Sequence, residues 1–329
     1  MSNHINFVEN IYEYVKNPMF LICNNINNNS KKINLKLEDK IKINDKTDDI
    51  IRVYDITSEG VATSRTSHPP TTGSDPGYWY MAMSGDGNTI AAYTNNDTGT
   101  AKIYLWTGSS WTETGSISRS RSDGISLNHN GEYMIMEDRD GTTMVKLYRY
   151  SSPGSTGGTW SLITTHTLEG ETDVQLGFIA KNTDPLRYII LDPKSTTYNG
   201  TASTTPLIQV HEYDGSSVTQ VGGDFYSHPN NPGYLDGNWW EGGVQISNDG
   251  NVIVISSYHG NRFYSYERDE TNTTGTSWDL NNADDTGFVP VGWKNTGVVD
   301  TGHGGTYDHY NVLTMSGDGK MVALASDNS

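Results

Sequence analysis

The chain has 329 residues, with 35 Gly, 20 Tyr, 8 Trp, one cysteine and a formal charge of −17. The single cysteine, Cys23, excludes an intrachain disulfide, and the negative charge argues against nucleic acid or an anionic membrane as partner. Turn-forming and aromatic residues in this abundance indicate an all-β chain with many tight turns.

Residues 1–50 hold seven Lys and seven Asp or Glu, so residues 51–329 carry all of the negative charge. "INFVENIYEYVKN" (Ile5–Asn17) places Val8, Ile11, Tyr12 and Val15 at helical spacing beside Phe7, and Pro18 ends that run. "NNINNNSKKINLKLEDKIKINDKTDD" (Asn24–Asp49) follows, with no Gly and no aromatic residue. A short amphipathic helix over 5–17 and a polar linker read as a tether or docking arm built on Phe7, Val8, Ile11, Tyr12 and Val15; the alternative is a disordered tail. The start of the chain lacks a basic n-region, and "MFLIC" (Met19–Cys23) is too short to span a membrane. The Asn-x-Ser/Thr sites at Asn28, Asn96, Asn199 and Asn272 are what chance gives in a chain rich in Asn, Ser and Thr.

From Ile51 onward the sequence repeats. A Ser/Asn-x-Asp/Asn-Gly turn appears as "SGDG" (Ser84–Gly87), "NHNG" (Asn128–Gly131), "SNDG" (Ser247–Gly250) and "SGDG" (Ser316–Gly319), with "NTDP" (Asn182–Pro185) as a degenerate copy. Each turn joins two apolar runs, the pattern of a hairpin closed by a two-residue type I′ turn. An alternating third run follows: "AKIYLW", "VKLYRY", "IQVHEY" or "RFYSYE". A fourth run often opens on Trp, as in "SSWTETGSI" and "GTWSLITTHTL"; the copy in the 240–293 unit is "TSWDLN", followed by "FVPVGW". Such four-stranded antiparallel units bury their faces by stacking around an axis, which predicts a β-propeller.

Five turns accompany four complete units. The last unit has inner strands only, while "IRVYDITSEGVATSRTS" (Ile51–Ser67) matches a third and fourth strand with no hairpin ahead of it. The pattern therefore predicts five blades: 78–120, 124–168, 173–225, 240–293, and 308–327 joined to 51–66. The ring would close by pairing Met321–Ala325 with Ile51–Ile56, which removes open sheet edges.

The repeat "MSGDGNTIAAYTNNDTGTAKIYLWTGSSWTETGSI" resembles the FG-GAP-like propeller repeats of marine microbes and large DNA viruses. The resemblance covers about residues 51–329, and Val218 stands where the pattern has Trp. It implies a protein that is displayed, secreted or part of a particle and acts through contacts. Members of that family with calcium sites carry a tight Asp-x-Asp-x-Asp-Gly run, which this chain lacks.

The Asp and Asn residues of the turns (Asp86, Asn130, Asp249, Asp318) are expected to shape the backbone rather than to bind metal. "EDRDG" places Glu137, Asp138 and Asp140 near a glycine and is the best local calcium candidate; a hairpin is the competing reading. Asp123, Asp173, Glu241 and Asp308 fall where inner strands enter the central channel. They would suit a glycosidase if two approached within the distances that carboxylate pairs need, and otherwise are solvated strand starts. Aromatic loops bring Trp79, Tyr80, Trp239, Trp240, Tyr307 and His309 ahead of three inner strands, as a sugar platform or as packing between blades. No cofactor motif is present. The leading expectation is a non-enzymatic structural protein. Its arm docks onto other proteins of a particle, most readily the capsid of a large DNA virus. Glycan attachment and glycoside cleavage are the alternatives.

Overall fold

The computed structural model describes residues 51, 53–56, 61–65, 80–93, 99–118, 124–139, 142–168, 177–180, 182–192, 197–198, 201–202, 207–226, 244–257, 262–275, 289–300 and 309–327. Among these residues there is no helix, and the strands form antiparallel sheets in chain order. The docking arm and its helix over 5–17 lie outside the described residues.

The chain opens with a hairpin, β1 (Tyr54–Ile56) and β2 (Ala62–Ser64). Blade 1 is β3 (Tyr80–Met83), β4 (Thr89–Tyr93), β5 (Thr100–Trp106) and β6 (Trp111–Ser118), in that spatial order. Blade 2 is β7 (Ile125–Leu127), β8 (Tyr133–Arg139), β9 (Thr143–Tyr150) and β10 (Trp160–Thr167). Blade 3 begins with β11 (Gly177–Ile179) and β12 (Leu186–Asp192), followed by a short ribbon, β13 (Thr197–Tyr198) and β14 (Thr201–Ala202). It continues with β15 (Leu207–Tyr213), β16 (Val218–Gln220) and β17 (Phe225–Tyr226), the last two both pairing with β15. Blade 4 is β18 (Val244–Ile246), β19 (Val252–Ser257), β20 (Arg262–Arg268) and β21 (Trp293–Asp300). A final hairpin is β22 (His309–Met315) with β23 (Val322–Asp327).

The arrangement is a five-bladed propeller. The fifth blade comes from two hairpins, each seated on a different neighbour. Ile51 and Val53 share a core with Met83, Ile90, Tyr104 and Trp111 of blade 1. The last hairpin leans on blade 4: Asn248 N donates to Gly317 O at 2.8 Å, and a Cβ on Gly319 would lie 2.8 Å from Val252 Cβ. The pairing expected between Met321–Ala325 and Ile51–Ile56 is not among the ladders of the described residues. There β1 bonds to β2, and β22 to β23.

Second strands are the most buried elements; every residue of β4 is buried. Two further cores fill the gaps between blades. Ala91, Tyr93 and Ile103 of blade 1 meet Leu127, Met134 and Met136 of blade 2. A larger cluster runs from Ile135 and Leu147 of blade 2 through blade 3 to Tyr266 and Trp293 of blade 4.

Two devices recur along the stack. The first lies in the turns. Ser84 Oγ donates to Asp86 Oδ1 (2.6 Å) and accepts from Thr89 N (2.9 Å), while Asn88 N donates to Asp86 Oδ1 (3.0 Å). The same pattern recurs at Asn128–Asn130–Glu132–Tyr133, Ser247–Asp249–Asn251–Val252 and Ser316–Asp318–Lys320–Met321. The loop between Ser84 and Thr89 is four residues long, not the two-residue type I′ turn that the Asp-Gly pair suggests. Gly87 N bonds back to Ser84 O, and Ser84 N to Thr89 O, with the left-handed conformation at Gly87 (φ 72°). Side chains thus satisfy the turn internally and leave its outer amides for the next blade: Asp86 N donates to His129 O (2.8 Å) and Asn182 N to Asn248 O (2.7 Å).

The second device is a Trp-to-Gly contact at the outer edge. Fourth strands open on Trp111, Trp160 and Trp293. A Cβ on Gly115 of blade 1 would lie 2.6 Å from Trp160 Cδ1, and one on Gly222 of blade 3 would lie 2.7 Å from Trp293 Nε1. Trp111 has no such glycine before it; the Arg65 guanidinium stands 5.6 Å from its ring centroid and 5.0 Å from that of Trp106. Arg65 also grips Asp55 at 2.8 Å and donates to Gly87 O at 2.9 Å, so one side chain ties the opening hairpin to blade 1. The fourth strand of blade 4 starts at Trp293 and runs to Asp300, beyond the expected limit at 293. Trp293 is the tryptophan that reaches Gly222, and its Nε1 donates to Val221 O.

Gly222 and Gly108 both have positive φ (77° and 95°), but only Gly222 faces a neighbour. Gly108→Ala should cost about 1 kcal/mol of backbone strain. Gly222→Ala should cost about 3 kcal/mol, because overpacking adds to the strain. Urea unfolding of the two variants checks the difference. Arg65→Ala should lose about 2 kcal/mol, the sum of a charge-assisted bond and a cation–π contact.

Candidate functional site

Adjacent strand positions face opposite neighbours, so each blade interface can be read from the ladder. In β15, Gln209, His211 and Tyr213 face blade 2, whereas Ile208, Val210 and Glu212 face blade 4. Two contacts fix this assignment: Tyr213 stacks edge-on against Tyr133 of blade 2 (6.1 Å), and Arg187, beside Glu212, donates to Asn251 of blade 4 (2.7 Å). Tyr188 pairs with His211 across the ladder and so shares its face.

His166 of β10 approaches these two residues from blade 2. Its Nε2 lies 3.0 Å from Tyr188 Oη, and its ring centroid lies 4.6 Å from that of His211. Tyr188 and His211 stack at 5.6 Å. The chain continues outward: His211 Nε2 to Gln209 Oε1 (3.4 Å), Gln209 Nε2 to Asp224 Oδ1 (3.0 Å) and Gln220 Nε2 to the same oxygen (2.7 Å). Burial holds the His166 and His211 imidazoles below their ordinary range. In His211 the neighbouring His166 adds to the effect, and the pKa falls to about 4. Burial pushes the Tyr188 phenol up, so it keeps its proton. The cluster is thus a neutral, hydrogen-bonded layer between two blades.

The buried acids occupy the far ends of second strands. Glu137 is 1% exposed, Asp138 5% and Asp192 8%. Glu137 and Asp138 are neighbours in β8 and therefore diverge: Asp138 bonds to Lys146, while Glu137 shares the face of Ile135, which packs into the blade 3 core. The two acids of the calcium candidate within the described residues therefore do not converge, and Asp140 lies outside those residues. No group of three His, Cys, Asp or Glu that could hold a metal occurs among the described residues.

Most of the sequence candidates fall outside the described residues: Trp79, Trp239, Trp240, Tyr307, Asp123, Asp173, Glu241 and Asp308. Tyr80 and His309 open β3 and β22. The starts of β3, β18 and β22 lie at the ends of their blades opposite the Asp-Gly turns, because each strand runs into its turn. Sequence reasoning missed the His166–Tyr188–His211 layer. No linear motif pointed to it, because its residues come from three strands of two blades.

No protein-family model matches the chain, and no curated protein matches it in sequence. Solved structures match it in fold. The periplasmic gluconolactonase PpgL of Pseudomonas aeruginosa is similar with a TM-score of 0.50 and 12% identity, over 84% of this chain and 71% of that one. A protein of Desulfotomaculum acetoxidans, described as functionally unknown, is similar with a TM-score of 0.50 and 11% identity, over 80% and 68%. The Swd1 β-propeller domain of Myceliophthora thermophila gives a TM-score of 0.43 at 9% identity, over 85% and 77%. At these identities the likeness concerns the fold alone.

Of the Asn-x-Ser/Thr sites, Asn272 is the one within the described residues, and its side chain is engaged. Its amide donates to Pro290 O (3.0 Å) and Trp293 O (2.7 Å), and its Oδ1 accepts from Gly275 N (2.9 Å). Peptide mass analysis after expression in a glycosylating host should find Asn272 unmodified. Asn272→Ala should lower stability by about 2 kcal/mol, since it strands partly buried backbone groups.

Proposed function

We propose that the chain is a non-enzymatic propeller that binds protein partners and is tethered to a larger assembly by residues 1–50. One observation carries this reading: the acids and amides repeated in four of the five turns are spent on closing those turns. Asp86, Asp249 and Asp318 all accept from their own turns. The repeat motif therefore serves architecture, and contact surfaces are left as the means of action. The −17 charge of residues 51–329 favours a basic partner surface and association that weakens with salt. The repeat resemblance narrows the assembly to the capsid of a large DNA virus, with this chain as a minor or surface component.

Mass spectrometry of purified particles should find the chain in them. In the full-length protein, Val8→Asp combined with Ile11→Asp should abolish incorporation and leave the melting temperature unchanged. A chain found free in the cytosol and absent from particles would overturn the reading. Activity on glycosides that is lost in Glu241→Gln or Asp308→Asn would replace it with an enzymatic one.

Glycan attachment is the second reading. It is supported by the aromatic runs that precede β3, β18 and β22, whose starts share one end of the propeller. Binding on a glycan array should then disappear with Trp79→Ala or Trp239→Ala.

A further inference from the structure

The outer-edge contact described above secures blade 1 to blade 2 and blade 3 to blade 4, and Arg65 replaces it where the opening hairpin meets blade 1. The interface between blades 2 and 3 has neither, and Gly297 on the fourth strand of blade 4 likewise meets nothing within 4 Å. At the 2/3 interface the fourth strand of blade 3 begins at Val218, and β10 of blade 2 contains no glycine. The same interface carries the layer of His166, Tyr188 and His211, beside the apolar cluster that blades 2 and 3 share. We propose that this interface is an acid-operated seam: protons taken up by His166 and His211 part blade 2 from blade 3 while the other interfaces hold.

The hydrogen bonds show why the closed seam needs neutral rings. Asp224 only accepts, so it fixes the Gln209 amide with Nε2 toward itself and Oε1 toward His211. His211 therefore carries its proton on Nε2. Tyr188, buried and protonated, can donate to the free Nε2 lone pair of His166. Protonating His166 removes that acceptor. Protonating both rings places two cations at a centroid separation of 4.6 Å in a part-buried layer.

The neighbouring groups do little to neutralise such cations. On β9, Val145 pairs with His166, and Lys146 is taken by Asp138. On β8, Glu137 lies in the same row beyond Val145. On β12, Tyr188 is the contact, and Asp192 sits four residues further along. On β15, Glu212 faces the other way and pairs with Arg187 (2.9 Å). Beyond β16, Asp224 reaches His211 only through Gln209.

The sign follows from linkage. An imidazole released to solvent returns to about pH 6.5, whereas His211 in the closed seam protonates only near 4. The parted form therefore binds more protons below 6.5. Its population should rise about tenfold per pH unit for each histidine involved, down to the closed-state value. The turn carboxylates behave differently. The Ser316 hydroxyl and Lys320 amide hold Asp318 below its usual range. For Asp249 burial acts upward, and the hydrogen bonds from Ser247 and Asn251 outweigh it. Their contribution is present above the ordinary carboxylate pKa of about 4 and is lost below it, so the two windows separate.

The test is residue-resolved hydrogen exchange on the full chain from pH 7 to 4.5, corrected for intrinsic rates. The Ile179 amide donates to Ser126 Oγ across the proposed seam (3.4 Å), and the Asn248 amide donates to Gly317 O across a different interface. Opening at Ile179 relative to Asn248 should rise at least tenfold per pH unit below 6.5, and His166→Gln combined with His211→Gln should flatten it. Equal acceleration at both amides, or a slope that survives in the double variant, overturns the proposal. If that variant does not fold, imidazole NMR of the unaltered chain decides: His211 titrating near 4 supports the seam, and titration above 6 ends it.

Discussion

A four-stranded sheet has two apolar faces and cannot cover either by itself, so the whole fold depends on how one blade meets the next. The contact that sets this spacing is small. Backbone amides of one repeat turn donate to carbonyls of the following turn, as from Asp86 to His129 and from Asn248 to Gly317. These amides are free for the purpose because Ser84 and Asp86, and their counterparts, close each turn with their own side chains. Glycine completes the motif for two reasons. Gly87 supplies the left-handed backbone, and the glycine ahead of Asp86 leaves room for His129.

The strands and blades were legible because alternation and turn chemistry repeat: strand 3 and strand 4 pairs such as Trp106 with Trp111 fall where "AKIYLW" and "SSW" put them. The fourth strand of blade 4 was placed too early because two tryptophans, Trp278 and Trp293, follow β20, and sequence does not say which opens the strand. Contact with Gly222 and Arg268 selects Trp293. The length of the turn was misjudged because Asp-Gly alone does not distinguish a two-residue from a four-residue loop. The layer at the 2/3 interface was illegible for another reason. His166, Tyr188 and His211 come from three strands and two blades, with no spacing that a linear motif could carry.

The two kinds of interface divide the molecule's properties. Where Trp meets Gly the contact is apolar, and where Arg65 takes its place a guanidinium joins two indole rings to Asp55. Where His meets Tyr and His, a polar layer that needs neutral rings stands beside the apolar cluster shared by blades 2 and 3. A histidine layer confined to one interface gives a ring whose response to acid is local. That suits a protein that works through its contacts, because most of its surface keeps its shape while one joint changes.

The fifth blade has a consequence for how the ring assembles. Its two hairpins lie more than 240 residues apart in the chain, a separation that makes direct encounter slow for an unfolded polypeptide. Each hairpin, however, is seated on the blade next to it in sequence: Ile51 and Val53 on blade 1, the Gly317 turn on blade 4. The distant halves are therefore brought together by the intervening blades, and the entropy of that long closure is met step by step through local stacking. A substitution that weakens any interior interface should then slow completion of the ring, even if it lies far from the two hairpins.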